Sequence, residues 1–322
     1  MSRSLEFKAK DNTDLGHQIG EHFRDRIQAK IAKAGRAGWD RKVRRAVRAW
    51  KIACTHFPDY GDEVRAYARA AKVGWQDLWT VGLELGTDAD RCTALVTNGG
   101  RLVGHDEDFE PGSAHDLFLI RKTVGKSTVL DLHYFYTLGG NAASVNSNGW
   151  CLMVNSLHGS TSPSGIPRNV IARWLSETRD PQRDARRLRK LPLMDGYSYT
   201  FVHLDGRISN LETSAKGVSM EKVRSPFVHT NHHLSRLKED ETFASGSSVE
   251  RFTLATRRLK PRMSVASLKR LMADRSRGDA DSIFNEDTIG RMVVDFTRRE
   301  AQAWFKASPR RGYLTVPLDF LP

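Results

Sequence analysis

The apolar residues change their spacing near residue 91, and that change bounds what the chain can fold into. Before it, Leu15, Ile19, Phe23, Ile27 and Ile31 form one stripe, and Trp39, Val43, Ala46, Val47, Trp50 and Cys54 form a second. Recurrence every three or four positions puts these groups on one face of a helix. Thr13 is the expected N-cap of the first helix, and shorter helices are expected over roughly 62–72 and 75–85. The stretch 86–91 is polar, carries Asp88 and Asp90, and reads as an exposed loop.

After residue 91 short runs of β-type residues are separated by turn dipeptides. C-T-A-L-V-T (92–97), N-G-G and R-L-V-G-H (101–105) make a strong hairpin signal. Further strands are expected at 116–124, 127–135, 142–146, 150–155, 197–204, 207–212, 291–296, 301–305 and 313–316, with helices at 168–178, 181–191, 248–259 and 264–273. Antiparallel hairpins with helices grouped between them indicate an α+β fold, with two sheets between helical layers, rather than a doubly wound parallel sheet.

Composition narrows the functional classes. The formal net charge is +13, but the basic residues are spread along helix faces, as in Arg41, Lys42, Arg44, Arg45 and Arg48, or Arg183, Arg186, Arg187, Arg189 and Lys190. No zinc finger or aromatic-rich RNA motif accompanies them, so solvated faces are expected, with no nucleic-acid partner. Their summed field would favour an anionic substrate or partner. There is no signal-peptide-like run in 1–14 and no apolar stretch of the roughly 20 residues that a membrane span needs, so no membrane partner and a cytoplasmic location are expected. Three cysteines, Cys54, Cys92 and Cys151, form no C-x-x-C pair; Cys54 and Cys151 read as small buried hydrophobes. His232 and His233 have no nearby cysteine or carboxylate to complete a ligand set, so no metal is expected.

Cys92 differs, because it opens the first strand directly after a polar loop. The hairpin folds it back towards G-H-D-E-D-F (104–109), which brings Asp106 or Asp108 close to its backbone. Taken alone, acidic residues at a strand end more often cap a turn.

The run D-R-C-T-A-L-V, followed by N-G-G-R-L-V-G-H-D-E-D-F, resembles the isopenicillin-N acyltransferase-like and carcinine hydrolase family of self-processing cysteine N-terminal-nucleophile hydrolases. The resemblance continues in order through G-G-N-A-A-S-V-N-S-N-G-W-C-L-M-V-N-S-L (139–157), G-I-P-R-N-V-I-A-R-W-L (165–175), N-L-E-T-S (210–214), H-T-N-H-H-L (229–234) and S-S-V-E-R-F (247–252). It implies a four-layer αββα sandwich of two antiparallel sheets. A helical segment, 1–91, would be cut from the catalytic part, 92–322, between Arg91 and Cys92 to give an α/β heterodimer.

In that scheme Cys92 is the nucleophile, and its freed α-amine, with an ordinary pKa near ~7.7–8.0, is the general base. The resemblance makes Asp108 the group that orients the amine, and Asn155 and Asn231 the donors to the tetrahedral oxyanion. Thr93, His105 and Asp106 are candidates for lining the site. Two positions depart from the family pattern: Arg91 stands where glycine is common, and Asp106 where asparagine is usual. The expected reaction is cleavage of a small-molecule N-acyl amine or amino acid at its linear C–N amide through a Cys92 thioester, with no cofactor. The alternatives are an N-acyltransferase with acyl-CoA as co-substrate and an unprocessed, catalytically silent basic binding protein.

Overall fold

The computed structural model describes residues 3–34, 38–83 and 92–322. The N-terminal segment begins with a strand, β1 (Ser4–Ala9), and continues through α1 (Asn12–His22), α2 (Arg24–Ala34), α3 (Trp39–His56), α4 (Pro58–Ala71) and α5 (Trp75–Gly82). The first stripe is therefore two helices, broken at Phe23, and the N-cap is Asp11, whose side chain accepts from the amide of Asp14, rather than Thr13. The strands that follow are β2 (Thr93–Thr97), β3 (Leu102–Asp108), β4 (Leu117–Val124), β5 (Ser127–Tyr134), β6 (Ala143–Asn146) and β7 (Trp150–Ser156). Helices α6 (Arg168–Leu175) and α7 (Pro181–Leu188) precede β8 (Tyr197–His203), β9 (Ile208–Ser214), β10 (Gly217–Lys222) and β11 (Phe227–His229). Then come α8 (Gly246–Arg258), α9 (Val265–Met272), β12 (Thr288–Asp295), β13 (Glu300–Phe305) and β14 (Leu314–Pro317).

These strands form an eight-stranded sheet, ordered β1-β4-β5-β6-β7-β8-β9-β10, and a six-stranded one, ordered β11-β2-β3-β12-β13-β14. Helices α1 and α7 cover the first, α8 and α9 the second, and β2 packs on β7 between them. This is the αββα arrangement. One correction concerns β1, which pairs in parallel with β4, Phe7 opposite Lys122. Parallel neighbours need a crossover connection, and the intervening helices and the β2–β3 hairpin supply one. The larger sheet is thus antiparallel except at one edge.

The hairpin that carries Cys92 turns at Asn98–Gly100. Gly100 has φ +86° and faces the backbone of Gly206, where an added Cβ would sit 3.0 Å from main-chain atoms. Glycine meets both demands. The turn is clamped to the chain before α9 by Asn98, which donates to the Met263 carbonyl at 2.8 Å and accepts from its amide at 2.7 Å.

Packing ties the N-terminal helices to the sheet beneath. Phe23 contacts Phe118 and Phe135 with ring centroids 5.0 and 5.3 Å apart, and Tyr67 Oη donates to the Phe135 carbonyl at 2.7 Å. Arg173 of α6, fully buried, reaches Glu63 of α4 at 3.3 Å and also pairs with Glu177. A second core of Leu95, Leu102, Leu254, Leu268, Met272 and Val293 lies under α8 and α9. The basic residues of α3 and α7 named above are exposed, and the longer helices carry no membrane-spanning run among the described residues.

Glu212, in the N-L-E-T-S run, joins the two sheets. It accepts from the His229 ring at 2.9 Å, the Leu234 amide at 2.8 Å and the Ser235 amide at 3.0 Å. Burial acts to raise its pKa, but the bonds from His229, Ser235 and Leu234 outweigh it and hold the carboxyl at about 2. A depressed folded-state pKa gives stability that is complete above the unfolded value, near 4.5, and is lost as pH falls towards 2. Glu212→Gln should therefore cost about 3 kcal/mol at neutral pH, and the gap to wild type should close between pH 4.5 and 2. Urea unfolding across that range checks it, and a gap that stays constant would contradict it.

Candidate active site

The register of β2 and β3 sets the chemistry. Thr93 pairs with Asp106 and Ala94 with His105, so Cys92 stands across from Glu107. Side chains alternate between faces along a strand; Cys92, His105 and Glu107 thus share one face, and Thr93, Asp106 and Asp108 the other. Both faces of β3 are buried, one against the partner sheet and one beneath the helical layer.

On the first face the Cys92 thiol lies 3.6 Å from Glu107 Oε2 and 3.8 Å from the Asp108 carbonyl. Glu107 also accepts from the His105 ring (Nε2) at 2.8 Å and from Tyr134 Oη at 2.7 Å. Burial, then the nearby Glu107 and Asp108 charges, push the thiol well above its ordinary range. It stays protonated at neutral pH, so reaction at sulfur requires a proton acceptor.

On the second face Arg251 of α8, fully buried, organises the surroundings. It donates to the Cys92 carbonyl at 2.9 Å, to Thr93 Oγ1 at 2.8 Å and to Asn231 Oδ1 at 2.8 Å. Asn155 Nδ2, arriving from β7 of the other sheet, donates to the same Cys92 carbonyl at 2.9 Å. Asn231 Nδ2 is engaged with the Ser156 carbonyl at 3.1 Å. Asp108 accepts from Asn285 Nδ2 at 2.8 Å, while its second oxygen, Oδ1, is buried and has no hydrogen-bond partner among the described residues. Burial pushes this carboxyl up to about 6, against the opposing pull of Arg251 and of bonds from Thr288 and Asn285.

Cys92, Asp108, Asn155 and Asn231 are therefore brought together, directly or through Arg251. Thr93, His105 and Asp106 lie in the walls, fully buried, and are not among the residues lining the cavity beside the thiol. Asp106 sits against Arg291, Nε to Oδ1 3.1 Å, and that guanidinium is stacked on Phe284 and Trp304. The cavity holds about 20 Å³, room for a water molecule. Its lining includes Glu107 and Arg168 as charged groups and Phe109, Tyr134 and Tyr197 as aromatic ones. Arg91, the other half of the expected cleavage site, and the 86–91 loop lie outside the described residues.

Sequence reasoning missed Glu107, Asn285 and Arg251. Arg251 stood inside the quoted S-S-V-E-R-F run, and its signal is position: Ser248, Arg251, Leu254 and Ala255 make the buried stripe of α8. An arginine on the core-facing stripe of a helix needs buried partners.

Residues 96–308, about two thirds of the chain, match the family described as acyl-coenzyme A:6-aminopenicillanic acid acyl-transferase. The chain belongs to this family. That is the kinship read from the cysteine hairpin and the five runs after it, and it makes the fold an N-terminal-nucleophile one and the protein a member of a family of acyltransferases. The matched span begins just beyond Cys92. Among solved structures, the chain is similar to penicillin V acylase from Agrobacterium tumefaciens, at 12% identity over 71% of this chain and 86% of that one, with a TM-score of 0.45. Two variants of conjugated bile acid hydrolase from Clostridium perfringens align at 11% and 9% identity, over 71% of this chain and 92% of theirs, with TM-scores of 0.40 and 0.39. No curated protein matches the sequence.

Proposed function

We infer that the protein is a self-processing amidase or acyltransferase that cleaves the linear C–N amide of a small N-acyl amine or amino acid through a thioester on Cys92. The observation that carries this reading is the unpartnered Oδ1 of Asp108, a buried acceptor on β3 one residue beyond the position that faces Cys92, the residue that would become a new chain terminus. Leaving such an oxygen unsatisfied costs about 1–3 kcal/mol, and an ammonium or amine at Cys92 is the donor that relieves it.

In the precursor the thiol adds to the Arg91 carbonyl, and its proton passes to the Cys92 nitrogen as the peptide C–N bond gives way to a C–S bond. Water then hydrolyses that thioester, leaving the Arg91 carboxylate and the free thiol. The α-amine so freed takes the thiol proton as the sulfur adds to the substrate carbonyl. It returns the proton to the departing amine as the C–N bond breaks, and water hydrolyses the thioester. The high pKa of the thiol supports a mechanism in which proton transfer accompanies attack. Asn155 and Asn231 each have one Nδ2 hydrogen engaged, and the other is the donor assigned to the oxyanion. Asn155→Ala should lower kcat by about 10²–10³; a variant at the wild-type rate would remove Asn155 from that role.

Cleavage would leave 1–91 docked on 92–322 as a heterodimer, since β1 is a sheet member and Glu63, Tyr67 and Phe23 are anchored on the other part. The family description favours a second reading, acyl transfer from acyl-CoA, for which the exposed arginines of α3 and α7 offer phosphate contacts. Product formation with and without an acyl-CoA donor separates the two. The intact mass of the purified protein tests the processing itself. Two fragments divided between Arg91 and Cys92 are expected, and a single chain with no activity would instead support a silent binding protein.

A further inference from the structure

We propose that Cys92, His105 and Glu107 form a binding site for one zinc-type divalent ion, which blocks the thiol reversibly. His105 and Glu107 are two apart on β3 and share a face, and Cys92 stands across from Glu107 on β2. Their ligand atoms all lie within 4.8 Å of one another, and no other group of three His, Cys, Asp or Glu among the described residues meets that condition. The His232 and His233 rings are not part of this group; they face Ser248 and Glu241.

The spacing suits a small tetrahedral ion. With bonds of roughly 2.0–2.3 Å, ligand atoms around zinc stand roughly 3.3–3.7 Å apart. The thiol is already 3.6 Å from Glu107 Oε2, and the His105 contact of 2.8 Å needs to open by only about half an ångström. The fourth position opens on the water-sized cavity that Cys92 and Glu107 line. Thiolate, imidazole and carboxylate together favour zinc or cobalt over magnesium or calcium. On binding, the thiol proton leaves to solvent and the imidazole proton moves to Nδ1.

That Nδ1 is buried without a partner among the described residues. A metal-bound histidine normally donates through its second nitrogen, and loss of that partner costs about 10–100-fold in affinity. The ion is therefore exchangeable rather than structural. The site stands on side-chain geometry alone and does not depend on Cys92 acting as a nucleophile.

The test is a cobalt titration of the purified full chain after removal of metal with a chelator. One equivalent should bind at micromolar concentration, with a sulfur-to-cobalt charge-transfer band that zinc displaces. Cys92→Ser should abolish the band, Cys151→Ala should keep it, and His105→Ala and Glu107→Gln should each weaken binding at least about tenfold. Unaltered affinity in both of the last two variants would place the ion on a Cys92 terminus alone and overturn the proposal. So would the absence of a band at millimolar cobalt. On the unsubstituted protein, one zinc per chain should protect Cys92 from alkylation, read by peptide mass; alkylation at the metal-free rate would also overturn it.

Discussion

Cys92→Ala should lower turnover of an N-acyl amine by at least about 10⁴-fold, while Cys54→Ala and Cys151→Ala keep rates near wild type. The three cysteines are all free thiols, so the contrast isolates position. Cys151 is enclosed in the core on β7, and burial alone raises its thiol to about 12. Cys54 packs on α4 against Gly61, in the N-terminal helices. Cys92, by contrast, faces a cavity with carboxylates, and its carbonyl is held from two sides, by Asn155 and Arg251. Loss of the sulfur removes both the thioester and the step that would free the amine, so the variant should also remain a single chain. Equal rates in all three variants would remove Cys92 from the mechanism.

The second large effect is expected at Arg251. Arg251→Leu removes the cation beside Asp106 and Asp108 and leaves Asn231 Oδ1 and Thr93 Oγ1 without their donor. Removing one member of a buried charge network costs about 3–5 kcal/mol, and the Cys92 carbonyl also loses one of its two side-chain donors. A fall in unfolding free energy of that size should come with a loss of kcat of about 10²–10³. Arg251→Lys should recover little of it, because one ammonium cannot reproduce a fork that reaches three acceptors. Denaturant unfolding and steady-state kinetics on the same preparations check this. A fully active and stable Arg251→Leu would show that the guanidinium does not organise the site.

Much of this site could be read from the chain, and the part that could not has a physical cause. The hairpins announced themselves through alternation and turn dipeptides, and the order of hairpins and helices gave the layered class. Strand β1 is hard to read from the chain, although Leu5, Phe7 and Ala9 alternate with Glu6 and Lys8, because a short polar-looking segment gains its strand character only from the edge of β4. The helix stripe ran on through Phe23 because periodicity does not register a one-residue break. For the site, Cys92, Asp108 and the two asparagines came from a motif resemblance. Glu107 escaped because H-D-E-D looks like an exposed strand end, and only the packing of β3 between the other sheet and the helical layer buries both of its faces. The burial of Arg251 is likewise a product of helix-on-sheet packing, which a sequence shows only as a charge out of place on an apolar stripe.

The most direct test of the whole account is mass spectrometry of the protein quenched within seconds of exposure to a panel of N-acyl amines. An acyl adduct is expected on a peptide that begins at Cys92, lost on treatment with hydroxylamine as a thioester would be. An active preparation whose Cys92 stays bonded to Arg91, or whose adduct maps to another residue, would contradict it.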